Sequence, residues 1–210
     1  KNMTNIVLVG IQGSGKGTQA RKILDKNPNF HFFEMGQRLR DFSKLEGEKP
    51  QIVKKCLEEG SLVPMDLIES MLVHYHDTSK DETIVFDGIP RSLQQLELFE
   101  KVFDDYFVIF LDLGKEIALE RIANRRIDPS NGMSFPADFI GDYSPFTGTK
   151  LITRDDDNEE AVLKRIESFY RNTLPLLAEW AARGKRVYRI DASRSIEEVW
   201  ETINVIVSAY

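Results

Sequence analysis

The chain has almost no cysteine. A single residue, Cys56, excludes an intrachain disulfide and a multi-cysteine zinc site. It stands among Ile52, Val53 and Leu57, which predicts a buried thiol. Long apolar runs are also missing, so no segment is expected to cross a membrane. Basic residues are not in excess: 28 Lys and Arg stand against 34 Asp and Glu, a net charge of −6. That balance offers no cationic footprint for nucleic acid, although a phosphate pocket would still need to be locally basic. No secretory leader is expected, and Lys1-Asn2 precede Met3, the expected natural start. No internal repeat or low-complexity tract is evident. With 210 residues, these absences leave one compact domain in a reducing cytoplasm.

What is present begins at Gly10. Residues 10–18 read Gly-Ile-Gln-Gly-Ser-Gly-Lys-Gly-Thr, directly after the apolar run Ile6–Val9. Glycines let the backbone curl so that successive N–H groups face an anion. The stretch from Gly17 to Leu24 suits a helix, whose positive dipole end would face the same anion. Lys16 adds a full charge for the outer phosphates, and Thr18 a hydroxyl for Mg²⁺. The usual pattern puts Ser or Thr directly after the lysine; here Gly17 intervenes. A Gly-rich loop can also be a plain turn, but the strand before and the helix after argue for phosphate.

Short continuous apolar runs at Ile6–Val9, Phe30–Phe33, Thr83–Phe86, Phe107–Leu111 and Val187–Ile190 predict buried parallel strands. Helical spacing lies between them: Leu93, Leu96 and Phe99; Ile117, Leu119 and Ile122; a long stretch from Val162 through Tyr170 to Trp180; and Val199, Ile203 and Ile206. The alternation predicts an α/β fold, a five-stranded parallel sheet covered by helices. Two segments interrupt it. Residues 35–78 are helical in character without a convincing strand. Residues 127–153 carry Pro129, Gly132, Pro136, Gly141, Pro145 and Gly148 and no helical period. Segments this long inside a domain suggest covers. The expected division is a core of 1–34, 79–126 and 154–210, a helical insert 35–78 and a lid 127–153. The run Asp155-Asp156-Asp157 reads either as part of the site or as a cap, with Asp157 as N-cap and Glu160 at N3.

The arginines narrow the chemistry. Arg40 lies in the first insert, Arg91 follows Asp87-Gly88-Ile89-Pro90, and Arg154 ends the second insert before Arg165. Arg121 and Arg125 are spaced to share one helix face, with Arg126 adjacent. Phosphoryl transfer needs neutralised charge and oxygens held in line more than covalent help. The planar, permanently charged guanidinium suits that task. Any one of these arginines alone would read as a surface residue; their joint placement points to phosphate.

With these residues the chain resembles the adenylate kinases and their close nucleoside monophosphate kinase relatives, over nearly its whole length. The resemblance rests on Gly10–Gln19, Gly36-Gln37-Arg38-Leu39-Arg40, Gly60-Ser61-Leu62-Val63-Pro64, Asp87–Arg91 with Gln95, Arg121 through Arg126, and Thr153–Asp157 with Arg165. It implies a P-loop NTPase-type fold and transfer from Mg·ATP to AMP, giving two ADP. Lys16 and the loop residues Gly13, Ser14, Gly15, Gly17 and Thr18 would hold the ATP phosphates. Arg125, Arg154 and Arg165 would close on the moving phosphoryl group. Arg40 and Arg91, together with Arg154 and Arg165, would grip the monophosphate beside Gly88, Ile89 and Pro90. Met35, Ser61, Leu62 and Val63 would border the acceptor base, and Gln95 would hydrogen-bond it. Arg121, Ser134, Phe135 and Arg194 would lie near the ATP adenine. Thr18 and Asp87 would steady Mg²⁺, mostly through water. The partners implied are ATP, AMP and ADP, with the protein a monomer that binds neither nucleic acid nor membrane.

The chain also departs from the family. Relatives usually carry Ser-Thr-Gly-Asp where this chain has Glu34-Met35-Gly36-Gln37. The Met35 thioether cannot donate a hydrogen bond as a threonine would. Met65 replaces an expected acid after Val63-Pro64. Gln95 favours adenine, but UMP or CMP remains an open alternative acceptor, as does a nucleotide-binding regulator without catalysis. The lid lacks the four-cysteine zinc pattern of some relatives, so no structural zinc is expected. His74 and His76, two apart in a helical region, diverge and read as no metal pair.

Overall fold

The apolar runs become the central sheet of the protein, a computed structural model that describes residues 4–79, 81–155 and 157–210. Its strands are β1 (Asn5–Gly10), β2 (His31–Glu34), β3 (Ile84–Asp87), β4 (Tyr106–Asp112) and β7 (Val187–Asp191), all parallel, in the order β2-β3-β1-β4-β7. Each overlaps its predicted run, with ends displaced by a residue or so. Val7, Val85, Phe86, Val108, Ile109 and Leu111 are wholly buried, as strands covered on both faces require. From β1 the chain goes to the edge strand β2 and back to β3 on one side, then crosses to β4 and β7 on the other, so the sheet order reverses at β1. Ligand crevices form outside strand carboxyl ends at such a switch point. Gly10, Glu34 and Asp87 end their strands there.

The helices are α1 (Lys16–Lys26), α2 (Met35–Ser43), α3 (Glu48–Glu59), α4 (Met65–Thr78), α5 (Leu93–Val102), α6 (Lys115–Ile122), α7 (Glu159–Ser168), α8 (Leu176–Ala182) and α9 (Ile196–Ser208). Residues 35–78 thus form α2, α3 and α4. Beside the sheet, Phe33, Phe86, Phe99, Phe103 and Tyr106 interlock edge-to-face and tilted, with centroids 4.8–5.5 Å apart. Buried Trp180 donates from Nε1 to Tyr106 Oη at 2.8 Å, and Tyr106 donates to Glu100 at 2.6 Å. Arg183 then gathers Glu97, Glu100 and Glu179, so every polar tip of this apolar layer is satisfied.

Three local expectations are corrected. The long helix from Val162 to Trp180 is not continuous. After Ser168 it opens into a π-turn over Phe169–Thr173, where Leu174 N donates to Phe169 O at 2.8 Å, and α8 restarts behind Pro175. Proline has no N–H to continue the ladder, and the widened turn absorbs the break. Helix α6 ends at Ile122, and Asn124 takes a left-handed φ of 57°. Arg125 therefore leaves the helix and does not share a face with Arg121. The N-cap of α7 is Asn158, whose side chain accepts from Ala161 N at 2.9 Å. Asp157 is drawn elsewhere; Asp156 lies outside the described residues.

Segment 127–153, expected as a lid, carries more order than its lack of period suggests. Strands β5 (Arg126–Ile127) and β6 (Ser134–Phe135) pair antiparallel, with bridges Ile127–Ile152 and Tyr143–Lys150. At its centre Asp128 is fully buried and accepts from Ser130 N, Ser130 Oγ and Thr147 Oγ1. Burial alone would raise its pKa, but these donors and Ser144 outweigh it and hold the carboxyl below its ordinary value. Arg126 donates to Gly141 O at 2.8 Å and Phe139 O at 2.7 Å, so it ties the segment to the stretch that follows α6.

Candidate active site

The Gly-rich loop sits between β1 and α1, as its residues dictate. Gly15 is the residue before α1 with φ 90°, and no side chain caps the helix. The first N–H groups of α1 are thus left for an anion. A cavity of about 670 Å³ opens over this loop and runs along the carboxyl ends of β1, β2 and β3. Gly13, Ser14, Gly15, Lys16, Gly17 and Thr18 line it at one end, with Arg121, Ser134 and Arg194. Met35, Arg40, Ser61, Leu62 and Val63 line the other end, with Gly88, Ile89, Pro90, Arg91 and Gln95. Arg125, Arg154 and Arg165 lie on the same wall system. Two expectations need correction. Phe135 does not line the cavity: in the short strand β6 its side chain turns inward and packs on Phe139, centroids 4.8 Å apart, while Ser134 faces out. Cys56, expected to be buried, is partly exposed and lines the cavity beside Leu57 and Gly60.

The cations are held by the fold before any ligand is considered. Lys16 Nζ donates to Gly10 O at 2.8 Å and stands 4.0 Å from Asp87 Oδ1. Burial pushes the Lys16 pKa down, Asp87 opposes that, and Arg91 adds to it. Burial likewise pushes Asp87 up, against the pull of Lys16. Arg91 Nε donates to Gly88 O at 2.8 Å, and Arg91 N to Gln95 Oε1 at 2.8 Å. Thr173, delivered by the π-turn, donates to Arg91 O at 2.6 Å. The Gln95 oxygen is thereby fixed by a backbone donor, which also fixes which end of the amide is NH₂.

Asp157 is a hub rather than a cap. Arg125 grips it in a fork, Nε to Oδ2 at 2.9 Å and Nη2 to Oδ1 at 3.1 Å. Gln12 Nε2 reaches Oδ1 at 2.9 Å, and Arg165 Nη1 lies 3.7 Å away. One carboxylate thus joins the phosphate loop, the α6–lid junction and α7. Arg165 Nη2 also donates to Leu57 O at 2.9 Å, tying α3 to the core. Gly60 makes the same joint possible: its φ is 69°, and a Cβ there would meet Ala161 O at 2.7 Å. Arg154 is partly buried beside other guanidiniums. Its Nε is buried with no hydrogen-bond partner among the described residues. Burial, with Arg40 and Arg125 nearby, pushes its pKa down to about 10. A cluster of guanidiniums of this kind fits an anion with several oxygens.

Sequence reasoning missed Gln12, Glu34 and Thr173 as members of the site, and left Asp157 open between a cap and a place in the site. An Asx or acid before a helix reads as a cap whichever arginines approach it in space, so no local signal separated the two roles for Asp157.

Residues 8–185 match the adenylate kinase family model. The chain is 32% identical over 202 residues to an adenylate kinase of Natronomonas pharaonis, covering 96% of each chain. It is 31% identical over 214 residues to an adenylate kinase of Malassezia globosa, covering 96% of this chain and 83% of the relative. It is 30% identical over 208 residues to UMP-CMP kinase 1 of Oryza sativa subsp. japonica, covering 98% of this chain and 74% of the relative.

Proposed function

The chain belongs to the adenylate kinase family of nucleoside monophosphate kinases, and we propose that it transfers the γ-phosphoryl group of Mg·ATP to AMP. An AMP phosphate oxygen forms the new P–O bond, the β–γ bridging bond breaks, and two ADP result. The observation that carries the reading is the convergence of Lys16, Arg40, Arg91, Arg125, Arg154 and Arg165 on one cavity. Lys16 and the loop amides hold the donor phosphates. Arg40 and Arg91 hold the acceptor phosphate. Arg125, Arg154 and Arg165 neutralise the group in flight, which is where electrostatic stabilisation acts most strongly. Arg121 and Arg194 flank the donor base. A pure binder would need no such set around the transfer point, which argues against a non-catalytic regulator.

The residues also fit a divalent ion. Asp87 is buried, its charge is balanced only loosely by Lys16 at 4.0 Å, and Thr18 offers a hydroxyl on the same wall. That all-oxygen set suits Mg²⁺ with most of its own waters, and the ion supplies charge neutralisation on the donor phosphates. We place the enzyme in the cytoplasm as a monomer; among the described residues no helix is long and apolar enough to cross a membrane.

A second acceptor reading has one observation behind it. The acceptor end is walled by Met35, Leu39, Leu62 and Val63, with the Gln95 amide for base recognition. An amide can pair with adenine or with a pyrimidine edge. A coupled assay of ADP formation from ATP with AMP, UMP, CMP and GMP decides between them. AMP should give the highest kcat/KM; a lead by UMP or CMP establishes the pyrimidine reading, and no turnover with any acceptor establishes the regulator.

A further inference from the structure

Glu34 stands inside this charge cluster without a role in the reaction as derived so far. It ends β2 directly beside Asp87 of β3. Its Oε2 accepts from Gln37 N at 2.7 Å and from Arg40 Nη2 at 3.2 Å. The first bond caps α2; the second engages an arginine of the acceptor end. Gly36 leaves the room in which the two side chains meet: a Cβ there would lie 2.7 Å from Glu34 Oε1 and 3.0 Å from Arg40 Nη1. Both side chains are mostly buried, with 23% and 17% exposure, and both line the cavity. The Glu34 charge also raises the pKa values of Lys16, Asp87 and Arg154.

We propose that Glu34 is an internal competitor for the acceptor phosphate on Arg40. The proposal rests on the reading that the acceptor is a nucleoside monophosphate. A phosphate dianion approaching Arg40 meets a carboxylate already bonded to it. It must displace that carboxylate, or share the guanidinium against like-charge repulsion; either weakens acceptor binding. The nucleoside part of the acceptor does not take part in this competition. The site is therefore set to bind its acceptor weakly, and the setting acts on the acceptor phosphate and not on the donor.

The test separates charge from capping. Glu34→Gln keeps a side-chain oxygen for Gln37 N and removes the charge. Glu34→Ser supplies a strong N-cap of another shape and serves if the first variant is unstable. In both, the AMP KM and the AMP dissociation constant by calorimetry should fall about tenfold, the scale of one charge-assisted hydrogen bond. The ATP KM should change less than about threefold. Inhibition by adenosine, which lacks the phosphate, should not tighten. An AMP KM and dissociation constant that stay level or rise in stably folded variants overturn the proposal. So does equal tightening of adenosine. The calorimetric arm needs no turnover, so an inactive parent would remove the kinase reading while the Glu34 comparison is still decided.

Discussion

The two ends of the cavity follow different rules. At the donor end, residue types are dictated by one demand, presenting backbone N–H groups and one lysine to a polyphosphate. Gly13, Gly15 and Lys16 meet it, and the uncapped start of α1 completes it. At the proposed acceptor end the walls are Met35, Leu62 and Val63, and Arg40 is already partly engaged by Glu34. The donor end is built around backbone geometry, which tolerates little change. The acceptor end is built from side chains, where substitution shifts preference without removing the reaction. On the proposed reading, the difference implies that catalysis and acceptor choice can be changed separately, which the variants below test.

The strongest way to break that comparison is at the donor end. Lys16→Met removes the one charge that the loop brings to the donor phosphates. Turnover should fall at least about 100-fold with every acceptor, the scale of losing one preorganised charge donor. Circular dichroism should report an unchanged fold, because Lys16 Nζ makes one backbone hydrogen bond and a loose ion pair. Activity within a few-fold of the parent, for any acceptor, would remove Lys16 from the mechanism.

How far each region could be read from sequence follows the same division. The sheet strands were legible because burial on both faces leaves continuous apolar runs such as Ile6–Val9 and Phe107–Leu111. The phosphate loop was legible because glycine and lysine are needed at fixed spacing. The break at Phe169 was not, because apolar residues continue at helical spacing through the π-turn and only Pro175 marks it. The hub at Asp157 was not, because an acid before a helix has a local use as well as a distant one. The core of segment 127–153 was not, because Asp128 accepts from Ser130 and Thr147, and Ser144 accepts from Thr147 N, and such hydrogen bonds carry no hydropathy period.

That lid core gives an intermediate effect. Hydrogen bonds hold the Asp128 pKa below its ordinary value, so the carboxylate contributes stability above the unfolded pKa of about 4. The contribution is lost as pH falls through the depressed folded value. Hydrogen exchange of segment 127–153 should therefore lose protection below about pH 4, more steeply than the sheet. Asp128→Asn places an NH₂ among donors and should lower lid protection already at pH 7, with activity down about tenfold. The variant should also lose the lid-specific pH dependence. Equal lid protection in parent and variant at pH 7 would show that the network does not hold the lid.

The smallest effect sharpens the comparison at the acceptor end. Met35 begins α2, is 3% exposed and lines the cavity, so whatever it contributes to base recognition is shape alone. Threonine at this position would restore a hydroxyl that can donate to or accept from a base edge. Gln95 already presents an amide whose oxygen is oriented by Arg91 N, so a second polar contact would add discrimination to a fixed first one. The gain is about 1 kcal/mol, roughly fivefold in the ratio of kcat/KM for AMP over UMP or CMP. Replacing a buried thioether by a shorter polar side chain also loses apolar contact, so a fall in melting temperature is expected alongside. The ratio is insensitive to that loss, because both acceptors are measured on the same variant. With kcat for AMP little changed, a rise in the ratio separates acceptor choice from transfer. A ratio that stays level or falls in Met35→Thr would mean that base recognition lies with other residues of the acceptor wall.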